Sequence, residues 1–135
     1  MTDRRPIDPS PARAFPQLPA EPRPGARLRP CDGRLAMVML TVRDAAGAPV
    51  TGASLTTRRA GARARFPVQP QEHGAGEYQL VDDTALRHLA QGDQALDVTV
   101  VHGGRRRVVV HQVVGTTARG CHVVRRSGAE IVTLR

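Results

Sequence analysis

The chain lacks lysine and tryptophan, and it has few aromatic side chains and no long apolar run. Two phenylalanines and one tyrosine are the only aromatics among 135 residues. So few aromatics cannot build the stacking platform on which proteins usually hold unpaired bases. The longest wholly apolar run, residues 35–40, spans six residues, whereas a membrane-spanning helix needs about 20. These scarcities exclude a transmembrane helix and a base-stacking nucleic-acid binder.

The positive charge is carried by one residue type. All 20 basic residues are arginine, and with 12 acidic residues they give a net charge of +8. Clustered cations favour binding to a polyanion, but arginine without lysine is also typical of a GC-rich genome. We interpret the charge mainly as a composition effect. Arg105, Arg106 and Arg107, which follow two glycines, remain candidate anion-binding residues for nucleic acid or an acidic polysaccharide.

Cys31 and Cys121 are the only cysteines. Without a Cys-x-x-Cys pair, a zinc ribbon lacks its ligands. A disulfide between them would close a loop of about 90 residues, contribute about 4–5 kcal/mol in the chain-entropy model, and need an oxidising compartment. Residues 1–30 contain no apolar segment of the kind that secretory signals have. The pairing and the compartment therefore stay open.

Proline divides the chain near residue 30. Eight of the 11 prolines lie within residues 1–30, where they remove backbone donors and prevent helix or central strand. We expect residues 1–30 to form a Pro-rich extended or disordered tail and residues 31–135 to fold. Phe15 and Leu18 are candidate anchors for docking to a protein partner. The alternative is a solvated leader without a role.

Beyond residue 30, apolar residues alternate with polar ones between turn signals, which predicts short strands. Asp82 or Asp83 is a candidate N-cap for one short helix over Thr84–Gln91. Seven or eight strands and one helix predict an all-β sandwich. The predicted strands are Ala36–Arg43, Ala53–Arg59, Ala62–Val68 (an edge strand with Phe66 and Val68 inward), Glu77–Val81, Ala95–His102, Arg106–Val113, His122–Val124 and Glu130–Leu134.

The hairpin around Gly103-Gly104 has a predictable register. A two-residue loop would turn Arg107 and His111 toward the apolar face, and burying an unpaired arginine is costly. A three-residue loop instead pairs Val98 with Val110 and places Asp97 opposite His111 on the solvent side. We predict the three-residue loop.

Several segments resemble one known family. The segment Leu40–Ala53 resembles the opening of carboxypeptidase regulatory-like domains, in which Asp-x-x-Gly-x-Pro-Val follows a strand. Gly76–Leu80 is similar to the Gly-x-Tyr-x-Leu strand of that family, and Leu96–Gly104 to its Leu-x-Val-x-Val segment and glycine turn. Cys121–Val123 followed by Ile131–Leu134 looks like the Cys-His-Val ending of secreted bacterial members. The resemblance covers residues 31–135 and departs at Arg105, where the family has an aromatic.

This resemblance implies a transthyretin-like or immunoglobulin-like sandwich that acts outside the cytoplasm by interaction, not catalysis. The residues themselves agree, since no serine lies in a Gly-x-Ser-x-Gly elbow and no histidines have metal-ligand spacing. Cys121 and His122 are adjacent, and adjacent strand residues point to opposite faces, which argues against a catalytic dyad.

We therefore expect a non-enzymatic module without cofactor or metal. It would engage a protein partner through loops, an edge strand or the N-terminal arm. The alternative is an accessory binder of an anionic polymer through its arginine clusters.

Overall fold

The computed structural model describes Cys31, residues 33–104 and residues 106–135. This part of the chain forms eight strands and one 3-10 helix, so the predicted all-β sandwich is confirmed. The predicted tail with Phe15 and Leu18, and Arg105 in the hairpin loop, lie outside the described residues. The elements are β1 (Met37–Asp44), β2 (Ser54–Arg59), β3 (Gln71–Gly74), β4 (Glu77–Asp82), the 3-10 helix (Asp83–Leu89), β5 (Gln94–His102), β6 (Arg106–Thr116), β7 (Val123–Gly128) and β8 (Ile131–Leu134).

The strands form two four-stranded sheets. The first has the order β3-β4-β1-β8 and the second the order β2-β5-β6-β7. β1 pairs antiparallel with β4 and parallel with β8. β7 and β8 follow each other in the chain but belong to different sheets, so the turn at residues 129–130 crosses from one sheet to the other.

The core lies between the sheets and consists mainly of valine and leucine. Val38, Leu40 and Val42 share the inward face of β1, as their alternation predicts, and each is at most 3% exposed. Phe66 and Tyr78 are the largest fully buried side chains among the described residues. Two aromatics and a layer of branched aliphatic side chains therefore fill this sandwich.

The predicted register of the β5–β6 hairpin is confirmed. Val98 lies opposite Val110, and both are buried. Asp97 lies opposite His111, and the two side chains approach within 2.6 Å on the solvent side. The alternation of valines was sufficient to fix this register because a shift by one residue would have buried charge.

The predicted edge strand over Ala62–Val68 is wrong. That segment makes a single bridge between Arg58 and Arg65, and Phe66 N donates to the carbonyl of Thr57 at 2.8 Å. The side chain of Gln69 makes the next hydrogen bonds along the edge of β2. Its carboxamide oxygen accepts from Thr57 N at 3.0 Å, and its carboxamide nitrogen donates to Thr57 O at 2.9 Å. Phe66 nevertheless points inward as predicted.

Tyr78 fixes the loop before β2. Its buried hydroxyl donates to Val50 O at 2.6 Å and accepts from Ala53 N at 3.1 Å. Gly76, two residues earlier, has φ of +72°, and a Cβ there would lie 2.6 Å from Cβ of Pro49. Only glycine therefore lets the β3–β4 turn lie this close to the loop.

The predicted helix over Thr84–Gln91 forms as a 3-10 helix with slightly earlier bounds. Asp82 is its N-cap and accepts from Thr84 N at 2.9 Å. Of the two candidate caps, Asp83 thus has a different role, described below.

Candidate functional site

Cys31 and Cys121 form a disulfide. The sequence left open whether these two cysteines pair, and in the structure they are cross-linked. Cys121 consequently has no thiol that could act as a nucleophile while the bond is intact. Cys121 lies in the connection between β6 and β7, directly before His122.

Asp83 joins three separate parts of the chain. Its Oδ2 accepts from Ala36 N at 3.0 Å and lies 2.7 Å from His122 Nδ1. Its Oδ1 accepts from Val123 N at 2.8 Å. The Asp83 side chain is 13% exposed and that of His122 is 20% exposed. The carboxylate therefore ties the segment before β1 to the start of β7.

These contacts set the charge state of Asp83. Burial alone raises the pKa of the carboxyl, but the hydrogen bonds from Ala36, His122 and Val123, together with the charge of His122, lower it more. The pKa of Asp83 therefore lies below its ordinary value of 3.8. The sequence identified Asp83 only as a candidate helix cap, because nothing local signals a partner 39 residues away.

Arg106 and Arg107 are the two candidate anion-binding arginines of the hairpin that the structure describes. Arg106 lies opposite His102, and its Nη2 is 3.3 Å from His102 Nδ1. Arg107 is exposed on β6, and its position next to Arg106 in a strand directs the two side chains to opposite faces. The described arginines of this cluster are therefore separated by the sheet.

Within the described ranges, no group of three or more His, Cys, Asp or Glu side chains could hold a metal ion. None of the helical structure in the same ranges has the length and apolar character to cross a membrane.

A β-sandwich can also contact a partner protein through the edge strands of its two sheets. The edge of β2 is occupied by its own chain, because Arg65, Phe66 and Gln69 bond to Arg58 and Thr57 along it. An incoming strand would have to displace that segment.

Two further edges carry charge and irregular pairing. β3 consists of Gln-Glu-His-Gly, and its register with β4 shifts between Glu72 and Gly74. β7 carries Arg125 and Arg126, and its register with β6 is interrupted beside them. Arg125 also crosses to the first sheet, where it donates to the carbonyl of Met39. Charge and bulges of this kind discourage the addition of a further strand.

Within the part of the chain that the structure describes, β8 has none of these protections. Its four residues, Ile-Val-Thr-Leu, carry no charge, and no register shift interrupts its pairing with β1. Ile131 is 48% exposed and Thr133 is exposed, whereas Leu134 is buried. The strand is predicted from the sequence, but its place at an edge is not, because edges depend on strand order.

The backbone of β8 alternates between β1 and the open side. Thr41 N donates to Glu130 O at 2.8 Å, with Thr41 in register with Ile131. Since the N–H and C=O of one strand residue point the same way and neighbours point oppositely, Val132 faces β1. Ile131 and Thr133 therefore direct their backbone groups to the open edge.

Comparison with known proteins gives no relative: no family model, curated protein or solved structure matches this chain.

Proposed function

We propose that this protein is a β-sandwich binding module whose β8 edge receives an extended segment of a partner protein. The observation that carries the proposal is that β8 is an uncharged, regular edge strand, whereas β2, β3 and β7 are covered, charged or bulged. The resemblance to carboxypeptidase regulatory-like domains, which implies interaction without catalysis, supports the same function.

The chemistry of this edge fits an extended polypeptide. Ile131 and Thr133 offer two donors and two acceptors to a new strand, which is the main-chain pattern of strand addition. The exposed Ile131 side chain adds an apolar contact beside these hydrogen bonds. A partner segment with alternating β-branched residues and no proline at the pairing positions would satisfy both.

The disulfide bears on where the module acts. Disulfides persist in oxidising compartments and are rare in the cytosol. We therefore propose that the module meets its partner outside the cytoplasm, as the family resemblance implies.

The N-terminal arm remains a second route to the same partner, with Phe15 and Leu18 as its predicted anchors. The anionic-polymer alternative has less support, because Arg106 and Arg107 point to opposite faces of the hairpin.

The test uses full-length protein with a photoreactive amino acid in place of Ile131, in cells that produce the protein naturally. In the same chain, Thr133→Pro removes an outward N–H that β1 does not use, and proline is tolerated at such edge positions. Thr133→Val is the matched control, because it also removes the hydroxyl but keeps the N–H. A second control places the photoreactive group at His73 on the β3 edge.

We expect cross-links from position 131 to one extended segment of a partner, retained by Thr133→Val and lost with Thr133→Pro. Equal cross-linking at position 73, or cross-links that survive Thr133→Pro, would show that the β8 edge is not the binding site. Absence of any adduct at position 131 would equally overturn the proposal.

A further inference from the structure

A solvent-open cleft lies at the end of the sandwich near the 3-10 helix. Its volume is about 360 Å³, within the range of pockets that bind small molecules. Three potential cations line it: Arg59 from β2, and Arg87 and His88 from the helix. Gln91 and Gln94 add neutral polar groups, and no carboxylate is among the described lining residues.

Arg59 occupies an unusual position for a charged residue. It lies opposite Leu96, which is 2% exposed, and on the same side of β2 as the fully buried Thr57. Its side chain therefore starts from the core-facing side of the sheet and is itself only partly exposed. A cation placed there is costly unless it is paired.

Two contacts fix the orientation of this guanidinium. Cζ of Arg59 lies 5.0 Å from the ring centroid of Phe66, a cation–π distance. Nε of Arg59 donates to Gln94 Oε1 at 3.0 Å. Both contacts involve neutral groups, so they hold the side chain without cancelling its charge. The terminal Nη groups can donate two parallel hydrogen bonds to two oxygens of a carboxylate or a phosphate.

The 3-10 helix forms the other side of the cleft, and it also packs against Phe66. His88 packs edge-on against Phe66, with ring centroids 5.8 Å apart at 70°. Nε of Arg87 lies 3.4 Å from His88 Nε2. Phe66 thus organises both sides of the cleft.

No acidic side chain of the described residues forms an ion pair with Arg59 or Arg87. Asp93, the acidic residue next to Gln94 in the chain, is 3.5 Å from Arg126 instead. The cleft therefore concentrates positive charge that its own described surroundings do not neutralise.

We infer that this cleft binds a small molecule through an oxyanion group, either a phosphate or a carboxylate. Arg59 is the oriented anchor, Arg87 supplies the second guanidinium, and Gln94 with Phe66 positions the anchor. This site is separate from the hairpin arginines and from the β8 edge, so the inference does not depend on the proposed function.

The experiment follows backbone amide shifts by NMR while inorganic phosphate or sodium acetate is added to the full chain at constant ionic strength. We expect saturable shifts centred on His88 and Gln94. Phosphate and acetate distinguish the two oxyanion classes. Since hydrogen bonds to a charged group each contribute strongly, Arg59→Gln should weaken binding about tenfold or more.

Arg107→Gln, on the exposed face of β6, is the matched control, because it removes the same charge away from the cleft and should leave binding unchanged. Arg87→Gln, on an exposed side chain, should also weaken binding. This second variant keeps the test valid where Arg59→Gln disturbs folding. No saturable shift with either anion, or equal weakening by Arg107→Gln, would overturn the inference. Thr133→Pro should leave anion binding intact whatever it does to the β8 edge.

Discussion

Replacing Asp83 by asparagine should lower the free energy of unfolding by about 2–4 kcal/mol. The two carboxylate oxygens receive different donors, since Ala36 N binds Oδ2 and Val123 N binds Oδ1. Asparagine offers one oxygen and one NH₂ group, so one of these backbone donors must face another donor. The hydrogen bond from His122 also loses its charged acceptor. Each hydrogen bond to a charged group contributes roughly 1.5–3 kcal/mol, and the side chain is shielded from water.

The measurement is urea unfolding of the oxidised protein, followed by far-UV circular dichroism because the chain has no tryptophan. Asp44→Asn is the matched control. Oδ1 of Asp44 alone accepts from both Ala46 N and Ala48 N, each at 2.9 Å, so asparagine can keep both hydrogen bonds with its single oxygen. We expect a change below about 0.5 kcal/mol for this control, which is the usual range of surface substitutions.

The effect should also depend on pH with a definite sign. The folded pKa of Asp83 is lowered, so its stabilisation is fully present above the ordinary value of 3.8 and is lost as pH falls through the folded value. The difference in stability between the natural chain and Asp83→Asn should therefore shrink at acid pH. A difference no larger than that of Asp44→Asn at neutral pH, or one that grows on acidification, would refute the assignment of Asp83.

Two further substitutions test the ties around the sandwich. Replacing both Cys31 and Cys121 by serine should lower the free energy of unfolding by about 4–5 kcal/mol in the chain-entropy model, measured by the same urea titration. A loss below about 1 kcal/mol would mean that the cross-link does not constrain the unfolded chain as that model requires. Tyr78→Phe should cost about 1–3 kcal/mol, because it leaves a buried carbonyl and a backbone N–H without the hydroxyl that joins them. Unchanged stability of the Tyr78→Phe variant would show that water forms these two hydrogen bonds in place of the hydroxyl.

The parts of the fold that the sequence predicts are those where alternation is strict. In β5 and β6, one register alone keeps Val98 and Val110 inward and Asp97 and His111 outward, so the hairpin follows from the pattern. β3 has no such alternation, because its four residues are all exposed, and it was not predicted.

The predicted strand over Ala62–Val68 shows where the pattern misleads. Phe66 does point inward, but the side chain of Gln69 makes hydrogen bonds that strand backbone would otherwise make. The alternation of apolar and polar residues indicates which side chains are buried. It does not indicate which groups form hydrogen bonds with the backbone N–H and C=O groups.

The candidate sites depended on strand order and long-range contacts, which the sequence does not display. Arg59 and Gln94 are 35 residues apart, and they meet because β2 pairs with β5. Asp83 follows β4 and His122 precedes β7, which belong to different sheets, so these two residues meet through the packing of one sheet on the other. An uncharged final strand is visible in the sequence, but its open side becomes evident only once β8 is placed next to β1.

Because β1 pairs in parallel with β8, the disulfide affects how readily these two strands meet during folding. Thr41 and Ile131 are in register, and each lies ten residues after a cysteine, Cys31 and Cys121 respectively. In the oxidised chain the shortest covalent path between them is therefore about 20 residues instead of 90, which lowers the entropic cost of their meeting by about 1 kcal/mol. Oxidation thus turns the most distant strand pairing of the described fold into a nearly local one.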